Sequence, residues 1–165
     1  MIAMPKRLLA RLFARGEPAL SEASPRDAAA IAKLHAASFH HGWSDGELER
    51  MLGERNIIAH RAMIGRSLHG FILTRLAGGE AEILSVAVGS ARRGRGLARA
   101  LVNLNLRRLA GLGTQAVFLE VDENNEPARR LYQRAGFREV GRRPGYYQQG
   151  RDHPATALVL RRDLT

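Results

Sequence analysis

The chain changes character at residue 92. Before it, three short apolar or β-branched segments, 56–62, 67–75 and 81–88, are separated by turns at Gly65 and at Gly78 and Gly79. Short strands divided by glycine turns predict an antiparallel meander. After it, residues 92–111 carry Leu97, Leu101, Leu104 and Leu109 among the apolar positions of a helix that stops at Gly111-Leu112-Gly113. A short apolar strand, 116–121, follows. Strands joined through a helix imply a parallel crossover. A meander that runs into one crossover leaves few architectures open. It predicts an α+β domain whose sheet is mixed and whose helices lie on its faces.

The flanking segments fit that frame. Ser24 and Pro25 start a helix, as N-cap and first-turn proline, with Ile31, Leu34, His35 and Ser38 on one face and an end near Phe39. Ser44 followed by Glu47 makes a capping box for a second helix bearing Leu48, Met51 and Leu52. Residues 127–135 form another helix closed by Gly136, and 137–142 and 155–160 close the chain as strands. Residues 1–16 are basic and apolar, with Leu8, Leu9, Leu12 and Phe13 at helix-like spacing. That stretch is too short to span a membrane and lacks a cleavage site, so 1–17 reads as a basic N-terminal extension. Residues 18–165 read as a single domain, the usual size for 165 residues in all.

Composition excludes several classes. The chain has no cysteine, which rules out a disulfide framework, a zinc ribbon and a cysteine nucleophile. Its six histidines show no metal-ligand spacing, so no metal is expected. No run of 18 apolar residues is present, so no membrane span is expected. Lys plus Arg outnumber Asp plus Glu by 26 to 16, a formal charge of +10, and only Lys6 and Lys33 are lysine. Arginine pairs bidentately with phosphate, so such an excess fits a nucleic-acid binder or a solvated surface equally.

The chemistry-bearing stretch is Ser85-Val86-Ala87-Val88 followed by Arg93-Gly94-Arg95-Gly96-Leu97-Ala98. A strand runs into a glycine turn that opens a helix. The first helical amides have no partner within the helix, and the dipole there favours an anion. Taken alone, the glycine pair also fits a plain tight turn. Ala98 stands where a dinucleotide fingerprint needs a third glycine, and Leu97 where a phosphate-binding Walker loop needs lysine.

The pattern Arg93-x-x-Gly96-x-Ala98 resembles the Arg/Gln-x-x-Gly-x-Gly/Ala signature of the GNAT acetyltransferase superfamily. Residues Asn125-Glu126-Pro127-Ala128-Arg129-Arg130-Leu131-Tyr132-Gln133-Arg134-Ala135-Gly136-Phe137 resemble its Asn-x-x-Ala-x-x-Leu-Tyr-x-x-x-Gly-Phe segment, in the same order and spacing. Within the superfamily the resemblance is closest to RimI-type N-terminal protein acetyltransferases. It is carried by 81–88, by Phe118-Leu119-Glu120-Val121, by Arg142-Arg143-Pro144-Gly145-Tyr146-Tyr147, and by His35 to Phe39 with Trp43-Ser44. It covers residues 18–164.

This resemblance implies a mostly antiparallel mixed sheet, flanked by helices and splayed between the strands at 81–88 and 116–121, the family's fourth and fifth. It implies acetyl-CoA as cosubstrate. Backbone amides of Arg93, Gly94, Arg95, Gly96, Leu97, Ala98 and Arg99 would hold its pyrophosphate. The strand edge at Val86, Ala87 and Val88 would pair with its pantetheine arm, and Asn125 would make a further contact. Glu120 would be the general base, directly or through a water, and Tyr132 the acid that protonates the thiolate. Read without the resemblance, Glu120 is also an ordinary strand-end carboxylate and Tyr132 a core residue. Trp43, Tyr146 and Tyr147, with the loop 148–154, would flank the acceptor, and Trp43 equally fits a cap on the core edge.

The implied acceptor is a protein or peptide N-terminus, above all the N-terminal alanine of a small-subunit ribosomal protein, and the implied location is cytoplasmic. The alternative acceptor is a small-molecule amine or a lysine side chain. Direct nucleic-acid binding is not expected, since the strands lack the aromatic pattern of an RNA-recognition domain. One departure bears on peptide specificity: Asp122 stands where RimI-like sequences often carry arginine.

Overall fold

The structure is a computed structural model that describes residues 16–147 and 155–165. The amphipathic reading of residues 1–15 and the placement of loop 148–154 fall outside those residues. Seven strands form one sheet in the order β1-β2-β3-β4-β5-β7-β6. They are β1 (Ala19–Glu22), β2 (Ile57–Ile64), β3 (Ser67–Ala77), β4 (Glu80–Val88), β5 (Ala116–Asp122), β6 (Arg138–Tyr147) and β7 (Ala155–Asp163). Among the described residues only the β4–β5 pair is parallel. Helix α1 (Ala28–Ser38) follows a 3-10 turn at Pro25–Asp27, and α2 (Asp45–Leu52), α3 (Leu97–Gly111) and α4 (Glu126–Arg134) are the other α-helices among the described residues. Among the described residues no helix is long and apolar enough to cross a membrane.

The meander, the crossover and the Ser44 cap appear as the sequence implied. Ser44 Oγ accepts from Glu47 N at 3.2 Å, and Glu47 Oε2 accepts from Ser44 N at 2.8 Å. Three features differ. Strand β1 was not foreseen: Ala-Leu-Ser-Glu is short and has no alternation, and it is a strand because β2 pairs with it. Helix α3 begins at Leu97 rather than 92. Gly94 and Gly96 have φ of +73° and +78°, which a right-handed helix excludes, and Gly96 is the N-cap. Strand β6 runs on through Pro144 and Gly145 instead of stopping at 142. Proline is tolerated there because β6 is an edge strand and bulges at that point.

Each sheet face has its own core. Helices α3 and α4 cover Ile72, Ile83, Val117, Leu119 and Leu158 with Leu101 and Tyr132. Helices α1 and α2 cover Phe71, Leu73 and Ala87 on the central strands with Ile31 and Leu48. The same face of β5 and β7 carries the half-buried Phe118, Glu120 and Val159.

A buried polar network ties α3 to the sheet. Thr74 Oγ1 donates to Asn105 Oδ1 at 2.8 Å, and Asn105 Nδ2 lies 3.1 Å from His60 Nδ1. An amide nitrogen only donates, so His60 Nδ1 accepts and the ring is neutral. Burial accordingly lowers the pKa of His60, and also those of His35 and His69, below 6.5. The sign follows from linkage: as pH falls, the unfolded chain takes up these protons first, so stability is full above the unfolded value and lost below it. The urea midpoint is expected to fall steadily between about pH 7 and pH 5. A midpoint constant over that window would contradict the buried neutral rings.

Candidate active site

The site begins where β4 leaves β5. These strands pair only at Glu80↔Ala116, Ala81↔Val117 and Glu82↔Phe118. Just beyond, the β3–β4 register steps from Thr74↔Ile83 to Leu73↔Ser85, which leaves Leu84 as a bulged residue. A bulge bends its strand and increases the twist. Past it, β4 keeps its ladder with β3 through Val86, Ala87 and Val88, while β5 pairs with β7 as far as Asp122↔Ala157. The β4 edge that faces β5 therefore has no neighbouring strand from Val86 to Val88. This is the expected splay.

The open edge leads into the glycine turn. Arg93 Nε donates to Val88 O at 3.2 Å, which holds the turn against the strand end. A Cβ built on Gly94 or Gly96 meets no protein atom within 4 Å, so positive φ, not crowding, is what calls for glycine there. Leu97 is buried and pins the helix start to the core, while Arg93, Arg95 and Arg99 are exposed and Ala98 is half-buried. The N-cap offers no side-chain bond, and the first turn of α3 has no acidic residue. Its amides and dipole thus face outward beside three guanidinium groups, a setting suited to a polyphosphate. Arg92 differs from its neighbours: it is 8% exposed, and its Nη2 has no hydrogen-bond partner among the described residues.

Glu120 stands on β5 across the splay. Its side chain is 19% exposed, and Oε1 lies 3.0 Å from Arg143 Nη1 on β6. It borders a groove of about 320 Å³ lined by Arg75, Glu80, Glu82, Phe118 and Arg143. Tyr132 lies on α4 at 8% exposure, its ring edge-on to Phe137 with centroids 5.7 Å apart. Asn125 is the N-cap of α4, and its Oδ1 accepts from Ala128 N at 3.2 Å. Asp122 Oδ1 accepts from Asn124 N at 2.9 Å, so the residue that replaces the family's frequent arginine shapes the turn after β5.

The other expected side chains divide between two places. Tyr146 is 53% exposed, with the Arg143 guanidinium 5.8 Å from its ring centroid. Tyr147 ends β6, paired with Ala155. Trp43 is half-buried and stacks on His35 at 4.4 Å, and His35 also meets Phe39 at 4.6 Å and Phe71 at 6.3 Å. His40 and His41 are exposed. The residue that sequence reasoning did not single out is Arg143. Ending the strand at 142 hid it, and the pairing of β6 with β7 brings it to Glu120.

The sequence profile of the Acetyltransferase (GNAT) family matches residues 28–137. The [ribosomal protein bS18]-alanine N-acetyltransferase of Haemophilus influenzae is 30% identical over 118 residues, 72% of this chain and 80% of that protein. The mycothiol acetyltransferase of Mycobacteroides abscessus is 33% identical over 127 residues, 68% of this chain, which spans only 43% of that relative's length. The crystal structure of the ribosomal-protein-S18-alanine N-acetyltransferase from Escherichia coli superposes with a TM-score of 0.82 at 22% identity, covering 90% of this chain and 94% of that one. That last likeness is one of fold. Profile, relatives and topology agree that the chain belongs to the GNAT acetyltransferase family.

Proposed function

We propose that the chain is an acetyl-CoA-dependent N-acetyltransferase whose acceptor is the α-amine of a protein N-terminus, with the N-terminal alanine of a small-subunit ribosomal protein as first candidate. The observation that carries this reading is the unpaired Val86–Val88 edge, set between an uncapped helix start and the Glu120 carboxylate. Likeness to the Haemophilus influenzae enzyme along 80% of its length supports the choice of acceptor.

Acetyl-CoA supplies an activated acetyl thioester as the second substrate. Amides from Arg93 through Gly94, Arg95, Gly96, Leu97 and Ala98 to Arg99 hold its pyrophosphate, and the exposed arginines add charge. The edge at Val86, Ala87 and Val88 aligns the pantetheine arm and polarises the thioester carbonyl. Asn125 spends its Oδ1 on the helix cap, which leaves its amide nitrogen as the contact it offers the cosubstrate. Glu120 takes a proton from the acceptor ammonium, directly or through one water. The amine so freed attacks the carbonyl carbon, the C–S bond breaks as the Tyr132 hydroxyl protonates the departing thiolate, and the second proton shed by the acceptor nitrogen restores the phenol. Trp43, Tyr146 and Tyr147 bound the acceptor.

A second reading, transfer to a small-molecule amine or a lysine side chain, is favoured by relatives named mycothiol acetyltransferase at 33%, 42% and 36% identity. Initial rates of thiol release with Ala- and Ser-starting peptides, lysine peptides, polyamines and amino-sugar acceptors separate the two. The highest kcat/KM is expected for the Ala-starting peptide. A higher value for any of the side-chain or small-molecule amines would transfer the assignment to the second reading.

A further inference from the structure

The Glu120 carboxylate already has a cation. Arg143 reaches it because β6 places Pro144, Gly145 and Tyr146 between the register pairs Arg143↔Ala157 and Tyr147↔Ala155, where β7 places Thr156 alone. Gly145 sits at φ +68° inside this bulge. Bulges re-aim side chains near sites, and here the aimed group is a guanidinium 3.0 Å from Glu120 Oε1. The Arg143 side chain is 59% exposed and that of Glu120 is 19% exposed, so the cation lies on the solvent side of the acid. The other charged side chains lining the groove are Arg75, Glu80 and Glu82.

A base that deprotonates an ammonium must have that nitrogen, or one bridging water, within hydrogen-bond reach. That position is held by Arg143. We propose that Arg143 is a specificity residue that keeps the acceptor's place at Glu120 and yields it to an incoming alkylammonium. This inference rests on the acetyltransferase reading above. The exchange is charge for charge, so the carboxylate keeps a cation throughout. A pair whose arginine is more than half exposed is held weakly enough to exchange. The released guanidinium has the Tyr146 ring beside it, at 5.8 Å from the centroid.

The proposal gives the Arg143→Ala variant an unusual sign. Removing a merely structural contact raises KM, whereas removing a competitor lowers it. With an Ala-starting peptide, the R143A acceptor KM is expected to fall about two- to fivefold, the range of an exposed ion pair. The acetyl-CoA KM should stay unchanged, and Arg143→Lys should stay near wild type. Guanidinium chloride at about 0.1–0.5 M, compared with sodium chloride at the same ionic strength, should raise the R143A acceptor KM back toward the wild-type value. An acceptor KM in R143A that is unchanged or raised, or that guanidinium leaves alone, would overturn the proposal while the acetyltransferase reading stands. Absence of acetyl transfer by the wild-type chain would overturn that reading, and the proposal with it.

Discussion

Replacing Glu120 with glutamine is expected to lower kcat for acetyl transfer by about two to four orders of magnitude, the usual contribution of a general base. Glutamine has nearly the same shape and still offers an oxygen to Arg143, so the groove should keep its form. The acetyl-CoA KM should therefore change little, because the amides and arginines between Arg93 and Arg99 remain in place. Stopped-assay measurement of released thiol at saturating substrates gives kcat directly. Tyr132→Phe is expected to lower kcat by a smaller factor, since only the hydroxyl is lost and the ring keeps its contact with Phe137. A kcat in Glu120→Gln within a few fold of wild type would remove Glu120 from the chemistry.

The second large effect is on stability. Phe71 is fully buried on β3, packed among Ile31, Leu48, Leu73 and Ala87, with His35 6.3 Å above its ring. Truncating a buried phenylalanine removes its transfer energy and leaves a cavity, so Phe71→Ala should cost about 3–5 kcal/mol. That is a large part of the roughly 5–15 kcal/mol that holds a domain of this kind together. A melting temperature lower by about 10 °C or more is expected. The loss also undercuts the His35–Trp43 stack, because His35 meets the Phe71 ring. A urea-derived change below about 1 kcal/mol would mean that α1 and α2 add little to the fold.

The parts of this molecule that were legible in sequence are those fixed by local rules. Ser44 and Glu47 announce their helix because a capping box needs only residues three apart. The glycine turns and the crossover helix announce the meander and the parallel pair. Other parts depend on pairing, which sequence spacing does not carry. Strand β1 exists because β2 offers it an edge, and four mostly exposed residues hold no trace of that. The start of α3 lies at Leu97 rather than 92 because Gly94 and Gly96 hold a left-handed backbone, a conformation that residue spacing does not reveal.

The site shows the same division. The glycine turn and Tyr132 stood out through an ordered pair of motifs that resemble one family, and Glu120 through the likeness of Phe118-Leu119-Glu120-Val121 to one branch of it. Trp43 turned out to stack on His35, so half of its surroundings are core rather than cleft. Arg143 escaped notice because its importance arises from a bulge that sets it beside a residue 23 positions earlier. The charge of +10, which by itself also fits a nucleic-acid binder, includes the exposed Arg93, Arg95 and Arg99 beside the glycine turn, where the proposed function gives it a local use.

The central claim is transfer of an acetyl group to a peptide α-nitrogen. Its most direct measurement is tandem mass spectrometry of an Ala-starting peptide that also contains lysine, after incubation with the chain and acetyl-CoA. The expected result is one acetyl group on the N-terminal nitrogen, formed together with an equal amount of free CoA thiol and at a rate lower by about two to four orders of magnitude when Glu120→Gln replaces the wild-type chain. Acetylation confined to the lysine side chain, or an unmodified peptide under conditions where another amine is acetylated, would contradict it.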